Sequence, residues 1–359
     1  MESRPEGIRG DFHGNSLESI RAETESNMRK YHVYGIGNAL VDMEYEVDVS
    51  DLEKLRIDKG VMTLVDADHQ TEILDYLQGH RHRKGSGGSV ANSIIAVSQF
   101  GGKGFHSCKV ADDALGHFYM DDLIAGGVDT NYHTDREDGH TGCCVVLVTP
   151  DSDRTMVTHL GISGDLSEKE LVPESLRDSD YFYTEGYLVT TDSARELSIT
   201  AKRIAEAAGV RTAISLSDPN IVTHFKGGLL EVIGGGVDLL FANEAEVKVM
   251  ADTRDLNAAI AFLKTIVQEF AITRGPEGAL IYDGNALIEI EPVKVDAIDT
   301  VGVGDMFAGA FLYGRTQGWD HRRSGDLAAA AAAKLVTSLG PRISTQETQA
   351  VLRRFLRTP

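Results

Sequence analysis

The sequence has little cysteine: only Cys108, Cys143 and Cys144 occur among 359 residues, and two of them are adjacent. An odd number with one adjacent pair does not suit a disulfide framework, and no spacing typical of a metal site is present. We therefore expect a protein of a reducing compartment, most simply the cytoplasm.

Long apolar runs and an excess of positive charge are also missing. No apolar stretch approaches the ~20 residues that a helix needs to cross a bilayer. The 35 Lys and Arg residues stand against 55 Asp and Glu residues, for a formal net charge of −20. Such a surface repels nucleic acid and anionic membranes. We expect a small-molecule substrate, and an anionic one needs main-chain amides or a metal ion to bind.

The order of the segments is regular. After a polar stretch of residues 1–30, which we expect to be a flexible extension, strand-like and helix-like segments alternate over residues 31–359. This order predicts an α/β protein in which helices cover both faces of a mainly parallel sheet, a three-layer αβα sandwich. Segments at about 43–64 and 140–160 alternate as strands do but do not fit this order. We expect them to pair as a small β-sheet lid.

The stretch DTVGVGDMFAGAF, residues 299–311, predicts a glycine-rich loop that turns into a buried helix. The amides at such a helix start favour an anion, and the helix dipole adds to this preference. An aspartate there repels the same anion unless it has another task. We therefore propose that the amides hold a phosphate while Asp305 takes a proton from a hydroxyl. The alternative is a helix entry that is only capped by an acidic residue.

Three further motifs precede this loop: GGSVANSIIAVSQFGG at 87–102, NEAE at 243–246 and TRGPEG at 273–278. In this order they resemble the two signatures, the N-x-x-E motif and the nucleotide loop of the PfkB (ribokinase-like) carbohydrate kinases, a family that includes ribokinase, fructokinase and adenosine kinase. The sequence departs from the family at Val303, where alanine is usual, but the working group at that position is the amide. No Walker sequence occurs, so a P-loop enzyme is not expected.

The resemblance implies a ribokinase-like fold and transfer of the γ-phosphate of ATP to an alcohol. Asp305 is the implied base, and Gly302, Val303 and Gly304 supply the implied amides for the phosphoryl group. Phosphoryl transfer needs alignment and charge neutralisation more than covalent help, so a carboxylate beside a set of amides suits this chemistry.

On the nucleotide side, the resemblance assigns ATP binding to four residues: Asn243, Thr273, Gly275 and Gly278. It assigns Mg²⁺, held through water, to Asn243 and Glu246. Taken alone, this pair also suits a helix cap, and the glycines suit a hairpin turn. A helix from about Asp326 to Leu339 is expected to flank the adenine. A monovalent cation is a further expected cofactor that the sequence leaves open.

The phosphate acceptor is implied to contact six residues: Asn38, Asp42, Gly87, Gly88, Asn92 and Glu185. The Asp42 carboxylate can accept hydrogen bonds from two neighbouring hydroxyls of a sugar ring. The glycines allow close approach of the backbone, and Asn92 offers both a donor and an acceptor. Taken alone, Asp42 is equally well explained as an exposed charge on a lid strand.

The acceptor itself is predicted from finer resemblance. The opening GIGNALVD and the Asn-Ser of GGSVANS resemble adenosine kinases more than ribokinases, which usually carry a lysine inside their second motif. We therefore expect a nucleoside, adenosine at its 5′-hydroxyl, and a role in purine salvage. The alternative is a free sugar such as ribose or fructose. A base pocket needs apolar walls, for which the candidates are Met43, Tyr45, Met156, Tyr187 and Leu188.

Two other classes of protein are weighed against a kinase. Gly35 and Gly37 after the first strand could belong to a dinucleotide-binding oxidoreductase, but position 40 is leucine where the third glycine of that motif belongs. A catalytically silent binding protein is disfavoured because Asp305 and both glycines of its loop are intact. The oligomeric state, monomer or homodimer, stays open.

Overall fold

The computed structural model describes residues 29–60, 62–131, 136–151 and 154–357. The expected extension of residues 1–30 lies outside the described residues, except for Arg29 and Lys30. The strands are β1 Tyr31–Ile36, β2 Leu40–Glu46, β3 Met62–Leu64, β4 His82–Gly87, β5 Gly104–Ser107, β6 Val128–Thr130, β7 Thr141–Val148, β8 Arg154–Gly161, β9 Ser179–Glu185, β10 Arg211–Ser215, β11 Val237–Asn243, β12 Val267–Thr273, β13 Ala279–Tyr282 and β14 Leu287–Ile290. The helices are α1 Val49–Leu55, α2 Ala67–Tyr76, α3 Ser89–Gln99, α4 Ala114–Ala125, α5 Pro173–Arg177, α6 Asp192–Ala207, α7 Pro219–Ile233, α8 Glu244–Met250, α9 Leu256–Leu263, α10 Val303–Thr316, α11 His321–Leu335 and α12 Thr345–Arg357.

In the described part of the chain, nine strands form a large sheet in the order β14-β13-β12-β11-β10-β9-β1-β5-β6. The pairings from β12 to β6 are parallel, and β13 and β14 run antiparallel at one edge. Parallel neighbours need long crossover connections, which the helices supply. The predicted mainly parallel sheet is confirmed.

Helices cover both faces of the large sheet. Along β11, Leu239 and Phe241 join the core cluster that includes side chains of α3, α10 and α11. Leu240 and Ala242, which alternate with them, join the cluster beneath α7, α8 and α9. This division follows from the two-residue repeat of a strand. Since each fully buried large apolar side chain contributes roughly 1.5–3 kcal/mol, both helical layers are held firmly against the sheet.

A second, smaller sheet has five strands among the described residues, in the order β3-β8-β7-β2-β4. The expected small sheet is confirmed, and within it β7 and β8 pair antiparallel as a hairpin around Pro150 and Asp151. Two details differ from expectation. Part of the 43–64 segment is the helix α1, which begins after a capping box of Asp48 and Asp51. The sheet also gains β4, whose sequence HRKGSG lacks an apolar repeat.

The two faces of the smaller sheet have different surroundings. Met43, Tyr45 and Val145 point into a core shared with Leu52 of α1 and Ile73 of α2. The alternate positions form the other face, because residues paired across strands point the same way. Its members, given by the register of the strands, are Asp42, Glu44, Cys144, Val146, Met156 and Thr158.

Two helices frame the loop singled out in the sequence. The helix α10 begins at Val303, as predicted from the glycine-rich loop. The helix α11 begins at His321 rather than at the expected Asp326, because the Asp320 side chain caps it by accepting from the Arg323 N–H at 2.8 Å. Within the described residues, no helix is both long and apolar enough to span a membrane.

Candidate active site

The predicted site residues gather at one edge of the large sheet. Because β1, β9, β10, β11 and β12 run parallel, their carboxyl ends meet at the same edge. The residues at or just after these ends are Asn38, Glu185, Asp218, Asn243 and Thr273. Ligands of open α/β sheets bind beyond these ends, so this rim is the candidate active site.

Asp305 lies in the first turn of α10, and two side chains of the α3 region hold its carboxylate. The Ser89 hydroxyl donates to Oδ1 at 2.6 Å, and the Asn92 Nδ2 donates to Oδ2 at 2.9 Å. Burial raises the pKa of the Asp305 carboxyl to about 6, although these two hydrogen bonds act in the opposite direction. At neutral pH the carboxylate is therefore largely ionised yet basic enough to accept a proton.

The start of α10 provides main-chain donors beside this carboxylate. Gly302 is the N-cap at φ +73°, and a Cβ there would lie 2.5 Å from the carbonyl oxygen of Pro341, so only glycine fits. The first helical turn leaves N–H groups without an intrahelical acceptor. The first four N–H groups are those of Gly302, Val303, Gly304 and Asp305, which include the predicted set of Gly302, Val303 and Gly304; the Val303 N–H also donates to the Thr300 carbonyl oxygen at 3.4 Å. Gly304 is exposed, with open space around its Cα.

The Asp42 carboxylate lies directly over Gly87. A Cβ built on Gly87 would be 2.4 Å from both carboxylate oxygens. The next glycine, Gly88, has φ +101°, and its Cβ would lie 2.2 Å from the carbonyl oxygen of Asn38. The glycine pair therefore makes room for a carboxylate and for a close backbone crossing. Asp305 is near enough for its negative charge to raise the pKa of Asp42.

Asn92 is 6% exposed, and only one of the two polar atoms of its side-chain amide forms a hydrogen bond. Its Nδ2 donates to Asp305, while its Oδ1 is buried without a hydrogen-bond partner. An unpaired buried acceptor costs about 1–3 kcal/mol, so a ligand that donates a hydrogen bond to it is favoured. A hydroxyl group placed next to Asp305 would meet this need.

Glu185 is 2% exposed and links the loop between β1 and β2 with the start of α3. Its Oε1 accepts from the Asn38 N–H and its Oε2 from the Val90 N–H, both at 2.9 Å. Burial raises the pKa of this carboxyl to about 7, and the two amides partly offset that effect. These contacts give Glu185 a structural role, and its predicted contact with the acceptor stays a prediction.

Asn243 and Glu246 form a complete capping box at the start of α8. The Glu246 N–H donates to Asn243 Oδ1 at 2.9 Å, while Asn243 Nδ2 donates to Glu246 Oε1 at 2.6 Å. The capping role is therefore present, and it does not exclude the metal role. Glu246 is 4% exposed, and burial raises its pKa to about 7, so a nearby cation would favour its ionised form.

The donor set at this cap suits Mg²⁺ held through water. Among the described residues, no three His, Cys, Asp or Glu side chains form a cluster that could hold a metal directly. Mg²⁺ usually keeps several waters and takes few protein carboxylates. A carboxylate whose oxygens already accept from Asn243 can still receive hydrogen bonds from such waters on its remaining lone pairs.

The turn after β12 joins two antiparallel strands, as expected. Gly275 and Gly278 have φ +55° and +82°. A Cβ on Gly278 would lie 2.1 Å from the carbonyl oxygen of Ile290, whereas nothing lies within 4 Å of a Cβ on Gly275. Gly278 is therefore required by packing, and Gly275 leaves an open surface beside Thr273 that a nucleotide phosphate could approach.

The structure corrects the predicted walls of a base pocket. Met43, Tyr45 and Leu188 are 7%, 5% and 1% exposed and belong to the packed core, because they lie on the covered sides of their elements. Met156 and Tyr187 are partly exposed. Met156 lies on the same face of the smaller sheet as Asp42, beside Val146, which is 7% exposed, so the partly exposed Met156 is the apolar side chain that this face offers to a ligand.

Three polar contacts of the rim carried no sequence signal that we recognised. Ser89 lies inside the amino-terminal motif but binds Asp305 directly. Arg154 of β8 pairs with Glu44 at 3.2 Å and with Asp299, in the loop before α10, at 2.6 Å. Arg342 follows α11 and reaches back to β4. The last two arise from elements far apart in the chain, which a local pattern does not reveal.

A surface depression of about 360 Å³ is lined by Arg177, Thr200 and Ile204. It lies near the carboxyl end of α6, just before β10 begins, and so at the opposite edge of the parallel sheet from the rim. None of the candidate residues contacts it, and we assign it no role.

Comparison with known proteins agrees with this geometry. The model of the pfkB family carbohydrate kinases matches residues 59–349. An adenosine kinase of Saccharomyces cerevisiae is 27% identical over 329 residues, which is 85% of this chain and 95% of that protein. A probable fructokinase-3 of Arabidopsis thaliana is 28% identical over 239 residues, 64% of this chain and 68% of that protein.

Two solved structures are also similar. A probable sugar kinase of Rhizobium etli has a TM-score of 0.84 and 32% identity, over 92% of this chain and all of that one. The adenosine kinase of Sinorhizobium meliloti has a TM-score of 0.82 and 34% identity, over 90% of this chain and 99% of that one. The chain belongs to the pfkB family of carbohydrate kinases, ATP-dependent enzymes that phosphorylate hydroxyl groups.

Proposed function

We propose that this kinase transfers the γ-phosphate of ATP to the primary hydroxyl of a nucleoside, with the 5′-hydroxyl of adenosine as the acceptor. The observation that carries the proposal is the hydrogen-bonded group around Asp305. Asp305 provides a basic carboxylate in the first turn of α10, where the N–H groups lack intrahelical acceptors, and Asn92, which donates to this carboxylate at 2.9 Å, has a buried amide oxygen with no partner.

In the proposed reaction, Asp305 accepts the proton of the acceptor hydroxyl as that oxygen forms its bond to the γ-phosphorus. The bond between the γ-phosphorus and the β,γ-bridging oxygen breaks, and ADP leaves. Ser89 and Asn92 keep the carboxylate oriented towards the hydroxyl. The N–H groups at the start of α10, from Gly302 to Asp305, offset the charge on the phosphoryl oxygens, which is the larger part of such catalysis.

The nucleotide is proposed to lie across the starts of α8 and α10. Asn243 and Glu246 would hold Mg²⁺ through water, and the ion supplies charge neutralisation for the phosphates. Four apolar side chains near this surface are strongly exposed and could contact the adenine: Val293, Val295, Ile298 and Leu339. The Ile298 N–H donates to the carbonyl oxygen of Val336 at 2.6 Å, which places this segment against the carboxyl end of α11.

The acceptor is proposed to lie between Asp305 and the smaller sheet. Asp42 would accept hydrogen bonds from two adjacent ribose hydroxyls, which leaves the single hydrogen of the 5′-hydroxyl for Asp305. The partly exposed Met156 on the same face as Asp42 favours a base over a free sugar, since a sugar has no comparable apolar surface to bury. The match to adenosine kinases over nearly their whole length supports the same acceptor.

A free sugar is the second candidate acceptor. It is supported by the likeness to a probable sugar kinase of Rhizobium etli. The pair of hydroxyls that Asp42 would bind is common to ribose, fructose and nucleosides, so Asp42 does not distinguish them. A nucleoside and a free sugar differ in the base, and the side chain proposed to contact that base is Met156 of the smaller sheet.

A substrate panel tests the proposal. The protein is incubated with ATP, Mg²⁺ and adenosine, other nucleosides, ribose or fructose, and ADP is measured. We expect adenosine to give the highest kcat/KM and 5′-deoxyadenosine, which lacks the acceptor hydroxyl, to give no ADP above the rate without acceptor. Faster turnover of ribose or fructose than of any nucleoside would replace the nucleoside with a sugar. No ADP with any acceptor would refute the proposed activity.

A further inference from the structure

The strand β4 has one face cleared by two glycines, and a carboxylate and a guanidinium each occupy one of the two cleared positions. Gly85 and Gly87 alternate along the strand, so their missing side chains would point the same way. A Cβ on Gly87 would be 2.4 Å from both carboxylate oxygens of Asp42, and a Cβ on Gly85 would be 2.9 Å from Nη2 of Arg342. Asp42 itself pairs with Gly85 across β2 and β4.

The guanidinium of Arg342 is fixed in this place by the strand and by α4. Its Nη1 donates to the Ser86 hydroxyl at 3.1 Å, and its Nη2 donates to Asp122 Oδ2 at 3.0 Å. The same Asp122 oxygen accepts from the Ser86 N–H at 3.0 Å. Because these hydrogen bonds already fix the guanidinium, Arg342 loses little side-chain entropy when the acceptor binds.

The residues next to Arg342 also contact the start of α10. The Pro341 carbonyl oxygen would lie 2.5 Å from a Cβ on Gly302, the N-cap of α10. The Gly340 N–H donates to Asp299 at 2.6 Å, in the loop that precedes α10. The three residues 340–342 thus connect the phosphoryl-binding loop with the acceptor strand.

Arg342 is the positive charge among the groups that act on Asp42. Burial raises the pKa of Asp42 to about 7, Arg342 lowers it, and the charges of Asp305 and Glu44 raise it further. Three more groups interact with Asp42 from β7 and α4: Cys143, Cys144 and Tyr119. Burial raises the pKa of each of these three groups, so they are neutral at physiological pH.

We propose that Arg342 is a positioning residue of the acceptor site: its guanidinium, fixed at the cleared position next to that of Asp42 on β4, keeps the Asp42 carboxylate ionised so that it can accept two acceptor hydroxyls. The inference rests on the proposed function, in which Asp42 binds the acceptor. Without the guanidinium, Asp42 would face Asp305 and Glu44 with no opposite charge, and its neutral form would accept fewer hydrogen bonds.

The test measures acceptor KM, ATP KM and kcat against pH for the wild type and for Arg342→Gln, which removes the charge but keeps a polar side chain. We expect the pH midpoint of the rise in acceptor KM to move up by about one unit, as for loss of one nearby opposite charge, and acceptor KM at neutral pH to rise about fivefold. ATP KM should be unchanged, and acceptor KM should recover at high pH. Arg353→Met removes a charge from an exposed position on α12 and should leave both KM values unchanged.

Two further variants make the test independent of one mutant. Arg342→Lys keeps the charge without the two-pronged contact, so its midpoint should lie between those of the wild type and Arg342→Gln. Asp122→Asn removes a carboxylate that shares the guanidinium, so its midpoint should move down, and this variant decides the matter if Arg342→Gln does not fold. A midpoint that stays at the wild-type value in these variants, or an acceptor KM raised equally at every pH, would overturn the inference. Absence of turnover in the wild type would instead refute the proposed function.

Discussion

The contact between Gly87 and Asp42 allows a sharp prediction, the effect of Gly87→Ala. The backbone of Gly87 is not in the left-handed region, so alanine is tolerated by the main chain itself. The new methyl group, however, would lie 2.4 Å from both oxygens of the Asp42 carboxylate. The carboxylate must therefore move by roughly 1 Å to restore ordinary contact.

A displacement of this size is enough to break hydrogen bonds, whose lengths vary by only a few tenths of an ångström. Each hydrogen bond to a charged group contributes about 1.5–3 kcal/mol, so losing two costs about 3–6 kcal/mol, or roughly 10²- to 10⁴-fold in acceptor affinity. The nucleotide side does not contact Gly87. We therefore expect acceptor KM to rise steeply while ATP binding is retained.

The assay compares acceptor KM and ATP affinity in Gly87→Ala, the wild type and Gly227→Ala. Gly227 is exposed on α7 with nothing within 4 Å of a Cβ, and it serves as the matched control. Thermal unfolding of all three proteins checks that the fold is kept. An acceptor KM within about threefold of the wild type in a folded Gly87→Ala protein would refute the assignment of Asp42 to the acceptor.

Three other predictions follow from the same geometry. The kcat/KM for the acceptor should fall as pH drops through about 7 and about 6, where Asp42 and Asp305 take up protons, and a level pH profile across this range would contradict both roles. Asn92→Asp places a second carboxyl where an amide now lies 2.9 Å from Asp305, so the lower of these two midpoints should move up, and a pH profile like that of the wild type would argue against the contact. Gly278→Ala should lower the melting temperature more than Gly275→Ala. Both substitutions strain the backbone by about 1–3 kcal/mol, but only a Cβ at position 278 also lies 2.1 Å from the Ile290 carbonyl oxygen. Equal decreases in melting temperature would show that this contact relaxes.

The parts of the fold and site that follow local rules could be predicted from the sequence. The glycine-rich loop before α10 has the composition of an anion-binding helix start, and Asp305 lies there. The turn between β12 and β13 and the hairpin between β7 and β8 carry glycine or proline signals that specify a turn. Alternating strands and helices indicate a parallel sheet, and the carboxyl ends of that sheet then locate the rim.

The features that failed to be predicted depend on contacts between distant segments. The strand β4 has a polar sequence, and it forms because it pairs with β2 and because Gly85 and Gly87 leave room for Arg342 and Asp42. Met43 and Tyr45 were expected to line a pocket, but the repeat of β2 turns them into the core and turns Asp42 and Glu44 out. The alternation of a strand predicts which side chains share a face, but it does not predict which face packs against the core until the neighbouring elements are known.

The central claim is that Asp305 removes the proton from the acceptor hydroxyl, and rapid-quench measurement of a single turnover tests it most directly. Wild type and Asp305→Asn are mixed with ATP, Mg²⁺ and saturating adenosine, and phosphorylated product is counted over time. We predict that the variant binds both substrates and unfolds at the wild-type temperature, while its transfer step is slower by about 10²- to 10⁴-fold. A transfer rate near that of the wild type would contradict the account.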